Sequence, residues 1–173
     1  AAAGLRLTVA ASDIRKLRPD ALPHPPAQVI APMHVLQTFD RAEREELASA
    51  SARLLAPGGT LAVVLIDEAH LASLTGGDPI LYPDIREIEG WVFSSEPLWV
   101  QMTDDAITAR RLRRAVAPGG ELDASVHDVV LYRVPPEELE RFGEELGLRV
   151  AERRRIETSE AESDSTVVLL EAP

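Results

Sequence analysis

The chain has 173 residues, a formal net charge of −11 and 45% hydrophobic residues. This length suits one globular domain, and the acidic balance argues against a protein that binds nucleic-acid phosphates. Cysteine is absent, so disulfide frameworks, thiolate metal sites and a cysteine nucleophile are excluded. No apolar run reaches the roughly 18 residues of a membrane span, and we expect a soluble, cytoplasmic protein. The four histidines lack metal-site spacing, so no metal is expected.

Strand signals and one helix signal alternate in the first half. Residues 5–9 show period-two alternation, and Gln28–Ala31 is an apolar run typical of a strand covered on both faces. A helix is predicted after Asp40, which with Glu43 forms a capping box. Its apolar positions are Leu47, Ala50 and Leu54, and a Pro-Gly-Gly turn ends it before the strand Thr60–Ile66. This order predicts an α/β protein with a parallel sheet.

The second half changes character over residues 86–134. Four strand-like runs, 87–93, 98–103, 106–116 and 121–134, are separated by turn-like residues at 94–97, 104–105 and 118–120. No helical pattern separates them, which predicts an antiparallel meander. A helix beginning at Pro135-Pro136, a strand at 148–156 and a last strand at 166–171 complete the pattern.

Two central segments carry a family resemblance. The segment 29–37, VIAPMHVLQ, and the turn 55–61, LAPGGTL, resemble the middle of a class I S-adenosylmethionine-dependent methyltransferase. The segment 84–95, DIREIEGWVFSS, resembles a β insertion carried by one bacterial branch of that family. The resemblance implies a partial Rossmann-like sheet without its first βαβ portion. It also implies a single domain over residues 1–173, with the antiparallel insertion at 86–134 following the fifth sheet strand.

The function implied is methyl transfer from S-adenosyl-L-methionine to an oxygen or nitrogen of a small molecule. The alternative is a non-catalytic binding or dimerisation module that keeps the fold. The family's glycine-rich cofactor turn, E/D-x-G-x-G-x-G, has no counterpart among the glycines of this sequence. We therefore expect that the missing portion was cut away, lies on a separate N-terminal fragment, or was lost in a natural descendant.

Ligands of open α/β sheets bind outside the carboxyl ends of the strands, and this rule selects the candidate site. The resemblance implies cofactor contacts from Asp13 and Ile14 to adenine, and from residues near the second strand end to the methionine part. Asp13 has the alternative role of capping the turn that follows it. The second set is Ala31, Pro32, Met33 and Leu36; here Pro32 has the alternative role of strand terminator, and Met33 that of a core residue.

His34 is the candidate catalytic base, because an imidazole with a near-neutral pKa accepts a proton from an amine or hydroxyl nucleophile. The alternative is a hydrogen-bonded histidine that shapes the turn. The substrate contacts predicted are Gln37, Asp67, Tyr82 and Trp91. The aromatic residues in and beside the insertion are equally compatible with its own core or with the contact of a homodimer.

Overall fold

The computed structural model describes residue 9 and residues 11–67, 83–157 and 164–173. Within these ranges the helices are α1 (Arg41–Leu54) and α2 (Pro136–Glu145), and short 3-10 helices cover Ile14–Lys16, Pro19–Ala21 and Val35–Thr38. The strands are β1 (Gln28–Ala31), β2 (Thr60–Ile66), β3 (Asp84–Ile88), β4 (Trp91–Met102), β5 (Ala106–Val116), β6 (Leu122–Tyr132), β7 (Arg149–Ile156) and β8 (Ser165–Glu171). The strand predicted at 5–9 lies outside the described residues except for Val9.

Sheet A has the order β1-β2-β8-β7. β1 and β2 run parallel, and β8 is antiparallel to both β2 and β7. The parallel pair and the antiparallel last strand were both predicted from the apolar runs, and the structure confirms them. β2 and β8 are the central strands, and they supply the most buried side chains of the core: Leu61, Val63, Leu65, Val168 and Leu170.

Helix α1 packs on this core through Leu47, Ala50 and Leu54, as its sequence pattern predicts. Its capping box forms: the Asp40 carboxylate accepts from the Glu43 N–H at 2.9 Å, and the Glu43 carboxylate accepts from the Asp40 N–H at 3.3 Å. These bonds satisfy N–H groups that a helix start leaves without partners. The helix start is thus determined locally by the sequence.

The burial predicted for β1 was wrong. Its residues alternate between exposed and half-buried, and Ile30 is 57% exposed. The physical reason is position, since β1 is an edge strand of sheet A among the strands that the structure describes.

Sheet B is the predicted antiparallel meander, in the order β3-β4-β5-β6. The expected turn at 94–97 was wrong, because β4 runs through these residues and absorbs Pro97 at a register shift between Pro97 and Trp99. Such a bulge tolerates a residue that cannot donate a ladder hydrogen bond. The turn lies instead at Glu89 and Gly90, whose φ angles of 51° and 81° suit a two-residue hairpin connection.

The base of sheet B packs against the end of sheet A. Ile66, the last residue of β2, forms a small buried cluster with Ile107, and Val100, Met102 and Leu131 pack around it. Sheet B is therefore inserted after β2 and before α2, as predicted. In the described part of the chain, no helix is long and apolar enough to cross a membrane.

Candidate functional site

Three strand ends of sheet A lie together where its parallel strands finish, which is called the carboxyl edge of the sheet. β1 ends at Ala31 and β2 ends at Ile66, and the antiparallel β8 begins at Ser165, which pairs with Ile66. Residues that follow β1 and β2 and residues that open β8 therefore lie at the same edge. This is the edge at which open α/β sheets bind ligands.

The chain turns sharply where it leaves β1. Met33 and His34 adopt left-handed φ angles of 51° and 59°, a conformation that costs energy for residues with a side chain. Met33 is 86% exposed, so it is a surface residue and not part of the core. His34 is half-buried, and its Nε2 lies 3.1 Å from the Ser165 hydroxyl oxygen. The alternative anticipated for His34, a hydrogen bond that shapes the turn, is thus present.

Asp67 follows β2 and links it to β7 and β8. Its N–H donates to the Asp164 carbonyl at 2.9 Å, and its carboxylate accepts from the Thr166 hydroxyl at 3.3 Å. The Arg155 guanidinium lies 3.3 Å from the Asp67 carboxylate and 3.0 Å from the Asp164 carboxylate. The Asp67 side chain is only 13% exposed, and its contacts join the end of β2 to β7 and β8.

Gln37 lies in the core, and the prediction that it contacts substrate is corrected. It is 1% exposed. Its amide oxygen accepts from the Ile66 N–H at 2.7 Å, and its amide nitrogen donates to the Tyr132 carbonyl at 3.1 Å. Both ends of the amide are used inside the protein, so Gln37 is a structural residue.

A groove of about 370 Å³ opens beside β1 and gathers four of the six predicted cofactor residues. Asp13, Ile14, Ala31 and Leu36 line it, together with apolar residues of β1 and α1. Leu36 is buried, whereas Pro32 and Met33 are exposed at the strand end and do not line the groove.

Asp13 shows the capping role that was its alternative. Its carboxylate accepts from the Arg15 N–H at 3.0 Å and caps the short helix Ile14–Lys16. The side-chain hydrogen bond from the Arg15 guanidinium lowers the pKa of the Asp13 carboxyl, so Asp13 is ionised at neutral pH. Both carboxylate oxygens already accept from Arg15, through its N–H, Nε and Nη2 groups at 3.0–3.2 Å, so a ligand amine would share an oxygen with Arg15.

Two substrate candidates remain, Tyr82 and Trp91. Tyr82 lies outside the described residues. Trp91 begins the 12-residue strand β4, whose other end, Met102, packs at the base of sheet B. Since a strand rises about 3.3 Å per residue, Trp91 lies roughly 35 Å along β4 from that base. Trp91 is therefore remote from that base, and it stacks on Phe93 at a centroid distance of 6.1 Å. A contact between Trp91 and substrate stays a prediction.

Sequence reasoning missed Ser165, Arg155 and Thr166. For Ser165 and Thr166 the sequence did offer a signal. An antiparallel last strand must begin where the parallel strands end, so its first residues lie beside the residues that follow β1 and β2. Across the described ranges, no three His, Asp or Glu side chains are grouped to hold a metal ion. The candidate site therefore consists of the groove beside β1, the His34–Ser165 pair and the contacts of Asp67 with β7 and β8.

No protein-family model matches the sequence, and no curated protein matches it. Solved structures do match the fold. A S-adenosylmethionine-dependent methyltransferase from Clostridium acetobutylicum aligns with a TM-score of 0.67 and 12% identity, covering 97% of this chain and 65% of its own. An amino pentose methyltransferase from Micromonospora echinaspora aligns with a TM-score of 0.60 and 16% identity, covering 91% of this chain and 62% of its own. A sugar N-methyltransferase from Streptoalloteichus aligns with a TM-score of 0.61 and 17% identity, covering 94% of this chain and 61% of its own.

The chain thus spans less than two thirds of the length of each of these three proteins. Its parallel pair, its antiparallel β8 and its inserted meander agree with the architecture predicted from the sequence. The protein therefore has a class I S-adenosylmethionine-dependent methyltransferase-like fold.

Proposed function

We propose that the protein is a cytoplasmic methyltransferase that transfers the methyl group of S-adenosyl-L-methionine to an oxygen or nitrogen of a small-molecule acceptor. In this proposal residues 1–173 form one partial methyltransferase domain, and residues 86–134 are an insertion within it. The observation that carries the proposal is the groove at the end of β1, where Asp13, Ile14, Ala31 and Leu36 meet.

The groove fits the adenosyl part of the cofactor. Its volume of about 370 Å³ falls within the roughly 300–1,000 Å³ of small-molecule pockets. Its walls are largely apolar, as a purine requires, and Asp13 offers a carboxylate to the exocyclic amine. The small Ala31 leaves room for close approach to the strand end. Bound there, S-adenosylmethionine would supply a sulfonium methyl group for in-line displacement. Residues that would hold its ribose and carboxylate are expected in the glycine-rich portion, which this sequence does not contain.

The position of His34 supports a role toward the acceptor. It follows the same strand end, it is half-buried, and Ser165 holds its imidazole. As the methyl group bonds to the acceptor nitrogen or oxygen, the acceptor's proton would pass to the imidazole. The chain's own contribution is then alignment, removal of that proton and exclusion of water.

An amine is the acceptor to test first. Two of the structures with this fold are an amino pentose methyltransferase and a sugar N-methyltransferase. An amino sugar is cationic at neutral pH, so a protein with a net charge of −11 attracts it. Such an amine must lose a proton before it attacks, which is the role proposed for His34.

The experiment uses the whole protein that contains these 173 residues. Ala31→Leu should fill the groove and weaken S-adenosylhomocysteine binding at least tenfold in calorimetry. Ala124→Leu, on the exposed face of β6, is the matched control and should leave binding unchanged. Release of S-adenosylhomocysteine is then followed over a panel of amino sugars and hydroxylated sugars. Equal binding by both variants would show that the groove is not the cofactor site.

A second role, self-association through sheet B, is favoured by its exposed apolar residues. Large hydrophobic side chains are exposed at its outer end: Ile85, Ile88, Trp91, Val92, Phe93, Leu122 and Val126. One surface depression there carries three arginines, Arg86, Arg113 and Arg114, and two aspartates, Asp84 and Asp123, around Phe93. Because a surface that carries both charge signs can pair with a copy of itself under two-fold rotation, a second copy is the partner proposed.

Sedimentation over a range of concentrations tests this association. The double variant Trp91→Ser/Phe93→Ser should sediment as a monomer at concentrations where the unchanged protein is a dimer. A protein that is monomeric without these changes would contradict the proposed homodimer, and would also weaken the alternative of a non-catalytic dimerisation module.

A further inference from the structure

The contact between His34 and Ser165 joins residues 131 positions apart in the sequence. We propose that Ser165 is the positioning residue for His34, its hydroxyl holding the imidazole at the carboxyl edge of sheet A in both protonation states. This inference rests on the proposed function, in which His34 takes a proton from the acceptor.

A serine hydroxyl suits this role because its oxygen accepts a hydrogen bond without carrying a formal charge. In the tautomer proposed, the His34 Nε2–H donates to the Ser165 hydroxyl oxygen, which leaves Nδ1 to take the acceptor's proton; in the charged ring Nε2–H still donates to the same oxygen. The same 3.1 Å contact is therefore available before and after proton uptake. A carboxylate partner would also accept, but its charge would favour the charged ring.

The structure holds Ser165 firmly enough to position another group. Ser165 is 8% exposed, and it pairs with Ile66 of β2 and Ile156 of β7. The residue before it, Asp164, accepts from the Asp67 N–H, and the residue after it, Thr166, donates to the Asp67 carboxylate. Both neighbours of Ser165 are thus fixed to the end of β2.

His34, in contrast, stands on an exposed turn. Met33 before it is 86% exposed and Val35 after it is 40% exposed, and the backbone of His34 is left-handed. A ring on such a turn gains a defined direction from a hydrogen bond to the rigid sheet. Orientation of the base within tenths of an ångström is what proton removal requires.

The test is the ¹⁵N spectrum of the His34 imidazole, recorded on the whole protein with uniform ¹⁵N labelling. His34→Gln identifies the signals of His34 among the four histidines. Ser165→Ala should shift the Nε2 signal of His34 at low and at high pH, and Ser165→Thr, which keeps a hydroxyl, should restore it. Ser51→Ala is the matched control, because Ser51 is also buried and donates to the Leu47 carbonyl. That variant should leave the His34 signals unchanged.

Unchanged His34 signals in Ser165→Ala would overturn the proposal, as would equal shifts in Ser165→Ala and Ser51→Ala. This readout needs no acceptor, so its result is separate from the outcome for the proposed function. In the active enzyme, Ser165→Ala should reduce turnover at least tenfold and leave S-adenosylhomocysteine affinity unchanged. Loss of affinity with full turnover at saturation would contradict a positioning role.

Discussion

The side-chain oxygen of Gln37 accepts a hydrogen bond from the backbone N–H of Ile66 at 2.7 Å, in the buried interior. The same amide donates to the Tyr132 carbonyl at 3.1 Å. Ile66 is the last residue of β2 and Tyr132 the last of β6. A single side chain thus binds both ends of the inserted segment and fixes its base beside the candidate site.

Replacing Gln37 by leucine should destabilise the protein strongly. The change leaves a buried N–H and a buried carbonyl without their partner, at about 1–3 kcal/mol each. We expect the free energy of unfolding to fall by about 2–5 kcal/mol, measured by urea denaturation. The control is Gln101→Leu, since Gln101 is exposed on β4. Similar unfolding midpoints for the two variants would contradict the structural role of Gln37.

Gly143 allows α2 to pack closely on β8. A Cβ added at this position would lie 2.7 and 2.9 Å from the methyl carbons of Leu170, which is 1% exposed. Gly143→Ala should therefore lower stability by about 1–3 kcal/mol through overpacking, offset in part by a helix propensity gain of about 1 kcal/mol. In a Leu170→Val background the same change should cost less. A double-mutant cycle of melting temperatures measures this coupling; purely additive effects would rule out the contact.

Asp128 should make part of the stability depend on pH. The hydrogen bonds from the Arg110 guanidinium, at 2.7 Å to each carboxylate oxygen, lower the pKa of the Asp128 carboxyl below 3.8. A carboxyl whose pKa is lower in the folded state stabilises the protein above the unfolded-state pKa, and this stabilisation disappears as the pH falls through the folded-state value. Asp128→Asn should slightly reduce the melting temperature at pH 7, and this reduction should become smaller as the pH falls below the unfolded-state pKa.

The control for this pair is Asp105→Asn, because Asp105 is exposed and forms no ion pair with any residue that the structure describes. It should change neither measurement. The effect of Asp128→Asn should also shrink in high salt, since both partners are about two-fifths exposed. A loss that persists equally at pH 2 would show that packing, not charge, is responsible.

The 173 residues by themselves should bind S-adenosylmethionine weakly. In the proposed function the groove would contact the adenosyl part, but this sequence has no glycine-rich turn for the ribose and carboxylate. Calorimetry should give no saturation at micromolar concentrations. A micromolar dissociation constant, about −8 kcal/mol, would place the main cofactor contacts within these residues.

His34→Gln distinguishes the two roles considered for this residue. As a base, His34 contributes to proton transfer, so its loss should lower turnover roughly 10²–10⁴-fold with cofactor affinity unchanged. If the hydrogen bond to Ser165 only stabilises the turn, stability should instead fall by about 1–2 kcal/mol with turnover retained. Turnover and melting temperature measured on one preparation decide between them.

The sequence predicted sheet A well because its signals are local. The Asp40 and Glu43 cap and the continuous apolar run of β2 determine their elements without help from distant residues. Pro97 was misleading, since the residues around it have turn composition, yet pairing with β5 keeps them in a strand. The partners of Gln37 and Ser165 are distant in sequence, and no local pattern encodes such contacts.

The position of β8 has a consequence for synthesis of the protein. β8 lies between β2 and β7, so the middle of sheet A stays open until residues 165–171 have left the ribosome. Until then the buried face and the free edge of β2 have no partner strand, a state that favours aggregation. The site shares this dependence, because Ser165 reaches His34 only when β8 is in place. Formation of the candidate site should accordingly follow synthesis of β8.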